Sequence, residues 1–167
     1  MHDPWPAAEG PWRLEIRPAG RQSEIAAQAG DTVLLSGRSG VGKSTLLGAI
    51  TGERTPGTRV LLAGAPIAAI DPTALAGQIT LVAQDAHVFD GTISQNLQFA
   101  DDRANEAELS AALSAAALSE TIAAVPDRLE TPVGPGGIAL SGGERRRLSF
   151  AQGRLRNLDI LLLDGPT

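Results

Sequence analysis

One stretch of eight residues constrains this chain more than any other. Gly37-Arg38-Ser39-Gly40-Val41-Gly42-Lys43-Ser44 fits the pattern G-x-x-x-x-G-K-[ST] completely. An apolar run with β-branched residues, Thr32-Val33-Leu34-Leu35-Ser36, precedes it and reads as a buried strand. A helix-forming run from Lys43 to about Thr51 follows. Strand, glycine-rich loop and helix in that order are the context in which the pattern holds phosphate. Glycines such as Gly37, Gly40 and Gly42 let the backbone curl until its N–H groups, those at Ser39 and Val41 among them, face phosphate oxygens. The helix that follows turns its positive end to the same anion. Lys43 reaches the β- and γ-phosphates, Ser44 offers a hydroxyl to Mg²⁺, and Thr45 adds a contact at the α-phosphate. The plainer reading, a glycine-rich turn with a chance lysine, leaves both flanks unexplained.

The rest of the chain predicts an α/β fold. Trp12 to Arg17, Ser23 to Ala29, Arg59 to Leu62 and Ile79 to Val82 read as strands, with a turn at Gly30-Asp31. Asn105 to Leu118 is rich in alanine and leucine and reads as a helix, and Ser119 to Ala124 continues or restarts one. Thr131 to Gly137 reads as a proline- and glycine-containing loop, Gly142 to Arg156 as a helix, and Ile160 to Leu163 as a buried strand. Strands alternating with helices imply a sheet with helical cover. The helical middle, about 92–157, looks like an insertion into the sheet-forming part. Residues 1–11 read as a leader or linker, and 12–167 as one domain.

Composition excludes several alternatives. There is no cysteine, which removes disulfides, zinc thiolates and thiol catalysis. The net charge is -5, so no broad basic surface for nucleic acid exists. No apolar run approaches the ~20 residues of a membrane span, and residues 1–12 lack a signal-peptide core. Any membrane role must therefore come through a partner or a segment outside this sequence.

Two further stretches carry chemistry. Ile160-Leu161-Leu162-Leu163-Asp164 is an apolar strand ending on a carboxylate. Many strands end so at a turn, but beside a phosphate loop the aspartate can hold Mg²⁺ directly or through water. Leu140-Ser141-Gly142-Gly143-Glu144-Arg145-Arg146-Arg147 contains a capping box, with Ser141 capping and Glu144 reaching back. The box does not account for two glycines in a first helical turn, which weaken it, or for three arginines beside its positive end. Close approach of an anion does.

Leu140 to Glu144 resembles the signature of ABC ATPases, with glutamate at its fifth position. Gln84 in Leu81-Val82-Ala83-Gln84-Asp85 matches that family's Q-loop, and Thr131 to Gly137 looks like the loop preceding the signature in its exporters. The likeness runs from about Gly30 to Thr167 in the family's order and spacing. Ala83 to Phe89 and Val133 to Gly137 look most like CydC, half of a heterodimeric thiol exporter. The resemblance implies a P-loop NTPase core of ABC type with a helical signature subdomain. ATP and Mg²⁺ are its expected ligands, with Ser44, Gln84 and Asp164 on the metal. Two such domains would pair head to tail, so that Ser141, Gly142 and Gly143 meet the partner's nucleotide. A transmembrane domain would be the second partner, and nucleic acid none. The chain itself would be soluble, work at the cytoplasmic face of the membrane, and couple ATP to export, with small thiols as cargo in the CydC case.

Three departures from the family stand out. Gly165 occupies the position after Asp164 where a glutamate normally polarises the attacking water, and glycine cannot do so. No catalytic residue of that kind is intact. The family's switch histidine and last strands would lie beyond Thr167, so the resemblance implies a domain incomplete at its C-terminus; His87, beside the Q-loop, is not that histidine. The chain has no tyrosine to stack on adenine, which leaves Trp12, with Trp5 behind it, as stacking candidate or as core residue. A second functional reading follows: a nucleotide-binding regulatory subunit or gene fragment without turnover.

Overall fold

The computed structural model describes residues 13–20, 24–83, 87–134, 136–156 and 158–165. They fall into two compact units that meet between Leu81 and Val82 in the chain.

The first unit is built on an antiparallel sheet. Strand β1 (Arg13–Arg17) pairs with β2 (Ile25–Gln28) on one side and with β3 (Arg59–Leu62) on the other. The register sets Leu14 opposite Leu62 and Ile16 opposite Val60, so alternate residues of both strands share one buried face. Helix α1 (Lys43–Ile50) contacts β3. Its last turn, Leu47 to Ile50, is buried while Ser44 and Thr45 in its first turn are exposed. Strand β4 (Ala65–Pro66) extends the sheet, and a 3₁₀ turn, Ile67–Ala69, buries Ile67. Helix α2 (Pro72–Gln78) begins on an Asp71 cap: its carboxylate accepts from the N–H groups of Thr73 and Ala74 at 2.9 and 3.1 Å, with proline following it. Strand β5 (Ile79–Val82) leads across the boundary.

One expectation fails here. Thr32 to Ser36 is not a strand, and Leu34 is 80% and Val33 48% exposed. A strand buried on both faces needs a ladder neighbour to satisfy its backbone groups. No described strand pairs with these residues, so their apolar pattern stays at the surface.

The second unit is mainly helical. Strand β6 (Gly91–Thr92) leads into α3 (Ile93–Gln98), then α4 (Glu106–Ala115) and α5 (Ser119–Ala123) follow. After a 3₁₀ turn, Arg128–Glu130, come β7 (Pro132–Val133), α6 (Gly142–Leu155) and β8 (Ile160–Leu163). Capping boxes start α3 at Thr92/Gln95 and α4 at Asn105/Glu108. Ile93, Leu97, Leu109, Leu113, Leu118 and Leu148 lead its buried cluster. The loop expected over Thr131 to Gly137 holds a short strand instead: Gly91 pairs with Val133 and Thr92 with Pro132. Strand β8 is buried at Ile160 and Leu162, but Leu163 is 39% exposed, so only one of its faces is fully covered.

Candidate functional site

The phosphate loop lies in the first unit, and the acidic strand end and signature lie in the second. Gly40 and Gly42 have φ of +78° and +98°, left-handed values that side-chain-bearing residues rarely adopt. A Cβ built on either would meet nothing within 4 Å, so the loop has open space beside both glycines. The Val41 N–H donates to the Arg38 carbonyl at 3.3 Å and closes the turn. Gly42 caps α1 with no side-chain hydrogen bond, unlike α2, α3, α4 and α6, which all have one. The first α1 hydrogen bond runs from the Leu46 N–H to the Gly42 carbonyl at 3.0 Å. The N–H groups of Lys43, Ser44 and Thr45 therefore have no helical acceptor and face outward at the positive end of the dipole. The Lys43 ammonium bridges the loop, donating to the carbonyls of Gly37 at 2.8 Å and Arg38 at 3.1 Å. Unpaired donors, an open curl and a fixed cation suit a polyphosphate, and the exposed Ser44 hydroxyl suits a magnesium ion beside it. Among the described residues there is no group of three or more His, Cys, Asp and Glu placed to hold a metal ion by itself.

Asp164, at the end of β8, is half-buried, and its N–H donates to the Val82 carbonyl at 2.9 Å. Gly165 follows with φ of +74°.

At the signature, the capping box forms as expected. The Glu144 N–H donates to the Ser141 hydroxyl at 3.2 Å, and the Ser141 N–H to the Glu144 carboxylate at 2.7 Å. Hydrogen bonds from the Ser141 hydroxyl and backbone hold the Glu144 pKa below its ordinary value, against burial, with a smaller lowering from the Arg147 charge. Gly142 and Gly143 are exposed and helical. A Cβ on Gly143 would meet nothing within 4 Å, and one on Gly142 only the tip of Arg145 at 3.9 Å. Among the described residues nothing requires glycine there. The pre-signature loop is different: a Cβ on Gly137 would fall onto the backbone of Pro132 and Val133.

Gln84 and Trp12 lie outside the described residues. His87 is exposed. A residue not singled out in sequence is Asn96, 1% exposed. Its amide donates to the carbonyls of Phe89 and Thr92, both at 3.0 Å, and accepts from the Phe89 N–H at 2.8 Å. Gln152 on α6 donates to the Asn96 carbonyl at 2.8 Å. Asn96 thus ties the segment after Gln84 to the signature helix. Its signal was an amide on the same helical stripe as Ile93 and Leu97, where an apolar residue belongs.

Residues 21–167 match the family model described as ABC transporter. The chain is 40% identical over 139 residues to the mycobactin import ATP-binding/permease protein IrtB of Mycolicibacterium thermoresistibile, covering 83% of this chain and 24% of that protein. It is 39% identical over 145 residues to the ATP-dependent lipid A-core flippase of Chromobacterium violaceum, covering 86% of this chain and 25% of that one. Among solved structures, a bacterial Atm1-family ABC exporter with ATP bound superposes with a TM-score of 0.79 at 32% identity, over 96% of this chain and 30% of that one. The chain spans about a quarter of the length of these curated relatives.

Proposed function

Because the chain belongs to the ABC transporter family, in which it is an exporter-type ATP-binding domain, we propose that it binds MgATP in its phosphate loop and drives transport by a membrane partner. The observation that carries this reading is the uncapped, open start of α1 with Lys43 fixed across the loop. Backbone N–H groups of Gly40 and of Gly42 to Thr45 would hold the β-phosphate, the Val41 N–H being bonded to the Arg38 carbonyl, with Lys43 on the β- and γ-phosphates and Trp12 on the adenine ring. Ser44, Gln84 and Asp164 would hold magnesium directly or through water. Bound magnesium would supply neutralisation of the phosphate charge.

The same reading gives the signature a partner. Glycines 142 and 143, free of steric need in their own chain, leave room for a nucleotide held by a second ATP-binding domain. Pairing head to tail would bury each ATP between one phosphate loop and the other chain's Ser141, Gly142 and Gly143. Residues 92–157 would form the helical subdomain that carries this surface. Among the described residues no helix is long and apolar enough to cross a membrane. By the family reading, the transport path would belong to a transmembrane domain, with this domain at its cytoplasmic face. The likeness to CydC in Ala83 to Phe89 and Val133 to Gly137 points to small thiols as cargo. The relatives reported above are named for mycobactin import and for lipid A-core rather than for thiols.

Lys43→Ala tests the phosphate site. It removes a charge-assisted contact of about 2 kcal/mol, a roughly 30-fold loss of ATP affinity by calorimetry in the presence of magnesium. Equal affinity for ATP in the variant and the parent would remove the basis of the assignment.

A further inference from the structure

Three arginines follow Glu144 near the positive end of α6, where their charge opposes the helix dipole. Two have local roles: the Arg145 guanidinium donates to the Leu140 carbonyl at 2.6 Å, and the Arg147 charge acts on Glu144. Arg146 reaches elsewhere. Half-buried, it donates from Nη1 to the carbonyl of Gly165, nineteen residues along the chain, at 3.3 Å, as one of its interactions. Gly165 stands at φ +74°, so its carbonyl direction depends on a conformation natural to glycine. Asp164 is therefore held from both sides, by its own N–H on the Val82 carbonyl at 2.9 Å and by the Gly165 turn fastened to Arg146.

We propose that Arg146 is a positioning residue for Asp164: its guanidinium fixes the left-handed Gly165 turn and so sets the direction in which the Asp164 carboxylate meets magnesium. The proposal rests on the reading of Asp164 as a magnesium-side carboxylate. It also makes position 165 glycine-specific. A glutamate placed there is either strained or turns the carbonyl away from Arg146.

The test is ATP binding by calorimetry across a MgCl₂ series, with the full chain. Arg146→Ala raises the MgCl₂ concentration for half-maximal binding about 10-fold, the effect of losing a partner that orients a metal ligand. Binding of ATP without metal stays as in the parent. Arg146→Lys recovers most of the loss, because an ammonium still donates to a carbonyl. Gly165→Ala keeps Arg146 but strains the turn, shifts the magnesium requirement in the same direction, and decides the matter if Arg146→Ala folds poorly. Asp164→Asn is the reference. If it leaves the magnesium requirement unchanged, the metal reading of Asp164 fails and this proposal with it. If Asp164→Asn raises the requirement and neither Arg146→Ala nor Gly165→Ala does, the Arg146 role alone is overturned. An equal loss of metal-free ATP binding in Arg146→Ala also overturns it, since a general packing defect gives that pattern.

Discussion

Gly143→Ala separates a glycine kept for folding from one kept for a ligand. Gly143 is the second helical residue after the Ser141 cap, in ordinary helical conformation, and a Cβ there meets nothing within 4 Å. No clash offsets the lower backbone entropy of alanine in the unfolded chain, so the helix gains about 0.5 to 1 kcal/mol. For a chain of this size that raises the melting temperature by roughly 1 to 4 °C. The same methyl stands where a partner's nucleotide would approach. Nucleotide-dependent association with a complete ATP-binding domain of the family should therefore be lost while the chain becomes more stable. Thermal unfolding by circular dichroism reads the first effect. Sedimentation with and without MgATP reads the second. A lower melting temperature would show that Gly143 serves its own chain, and unchanged association would show that nothing approaches it; either result refutes the reasoning.

Gly137→Ala should act in the opposite sense, destabilising by about 1 to 3 kcal/mol in urea unfolding, because its Cβ falls on the backbone of Pro132 and Val133; an unchanged midpoint argues against that packing. Glu144 has a lowered folded pKa, so its contribution to stability is complete above the ordinary glutamate range and is lost as pH falls through the lower folded value. Melts from pH 7 down to about 3 should thus show an acid loss that Glu144→Gln reduces, and identical pH profiles for the two proteins would contradict the role of the Ser141 hydrogen bonds. Steady-state phosphate release from the chain should be close to that of Lys43→Ala, since Gly165 supplies no base to orient water. Robust turnover abolished by Lys43→Ala would mean another group acts as the base.

Local signals were the most legible part of the chain. Lys43 to Ile50, Arg59 to Leu62, Ile79 to Val82 and Ile160 to Leu163 form where their patterns predict, and α6 ends one residue from its expected end at Arg156. Each is defined by periodicity or by a cap within a few residues. Thr32 to Ser36 shows the limit of that logic. Its pattern is as strand-like as Ile160 to Leu163, yet a strand is completed by neighbours far away in sequence, and none of the described strands supplies them. Helices α2 and α3 were missed although Asp71-Pro72 and the Thr92/Gln95 box announce them, because both are short and carry little periodicity. At the candidate site, motif spacing singled out Lys43, Ser44 and Asp164, and the Ser141/Glu144 capping box forms as its spacing predicts. The Arg146 bond to Gly165 and the Asn96 cluster join residues distant in sequence, and spacing carries no information about such contacts.

Lys43 has one more consequence. It is the only lysine in the chain, and its ammonium lies across the phosphate loop on the carbonyls of Gly37 and Arg38. Apart from the terminal amine, an acylating reagent has one place to react. Acylation there removes the charge and all but one of the donors together, so it marks the loop and disables it in one step. A phosphate seated in the loop shields the same nitrogen. The degree of acylation, read by mass spectrometry of the peptide containing Lys43, therefore reports loop occupancy without any introduced label.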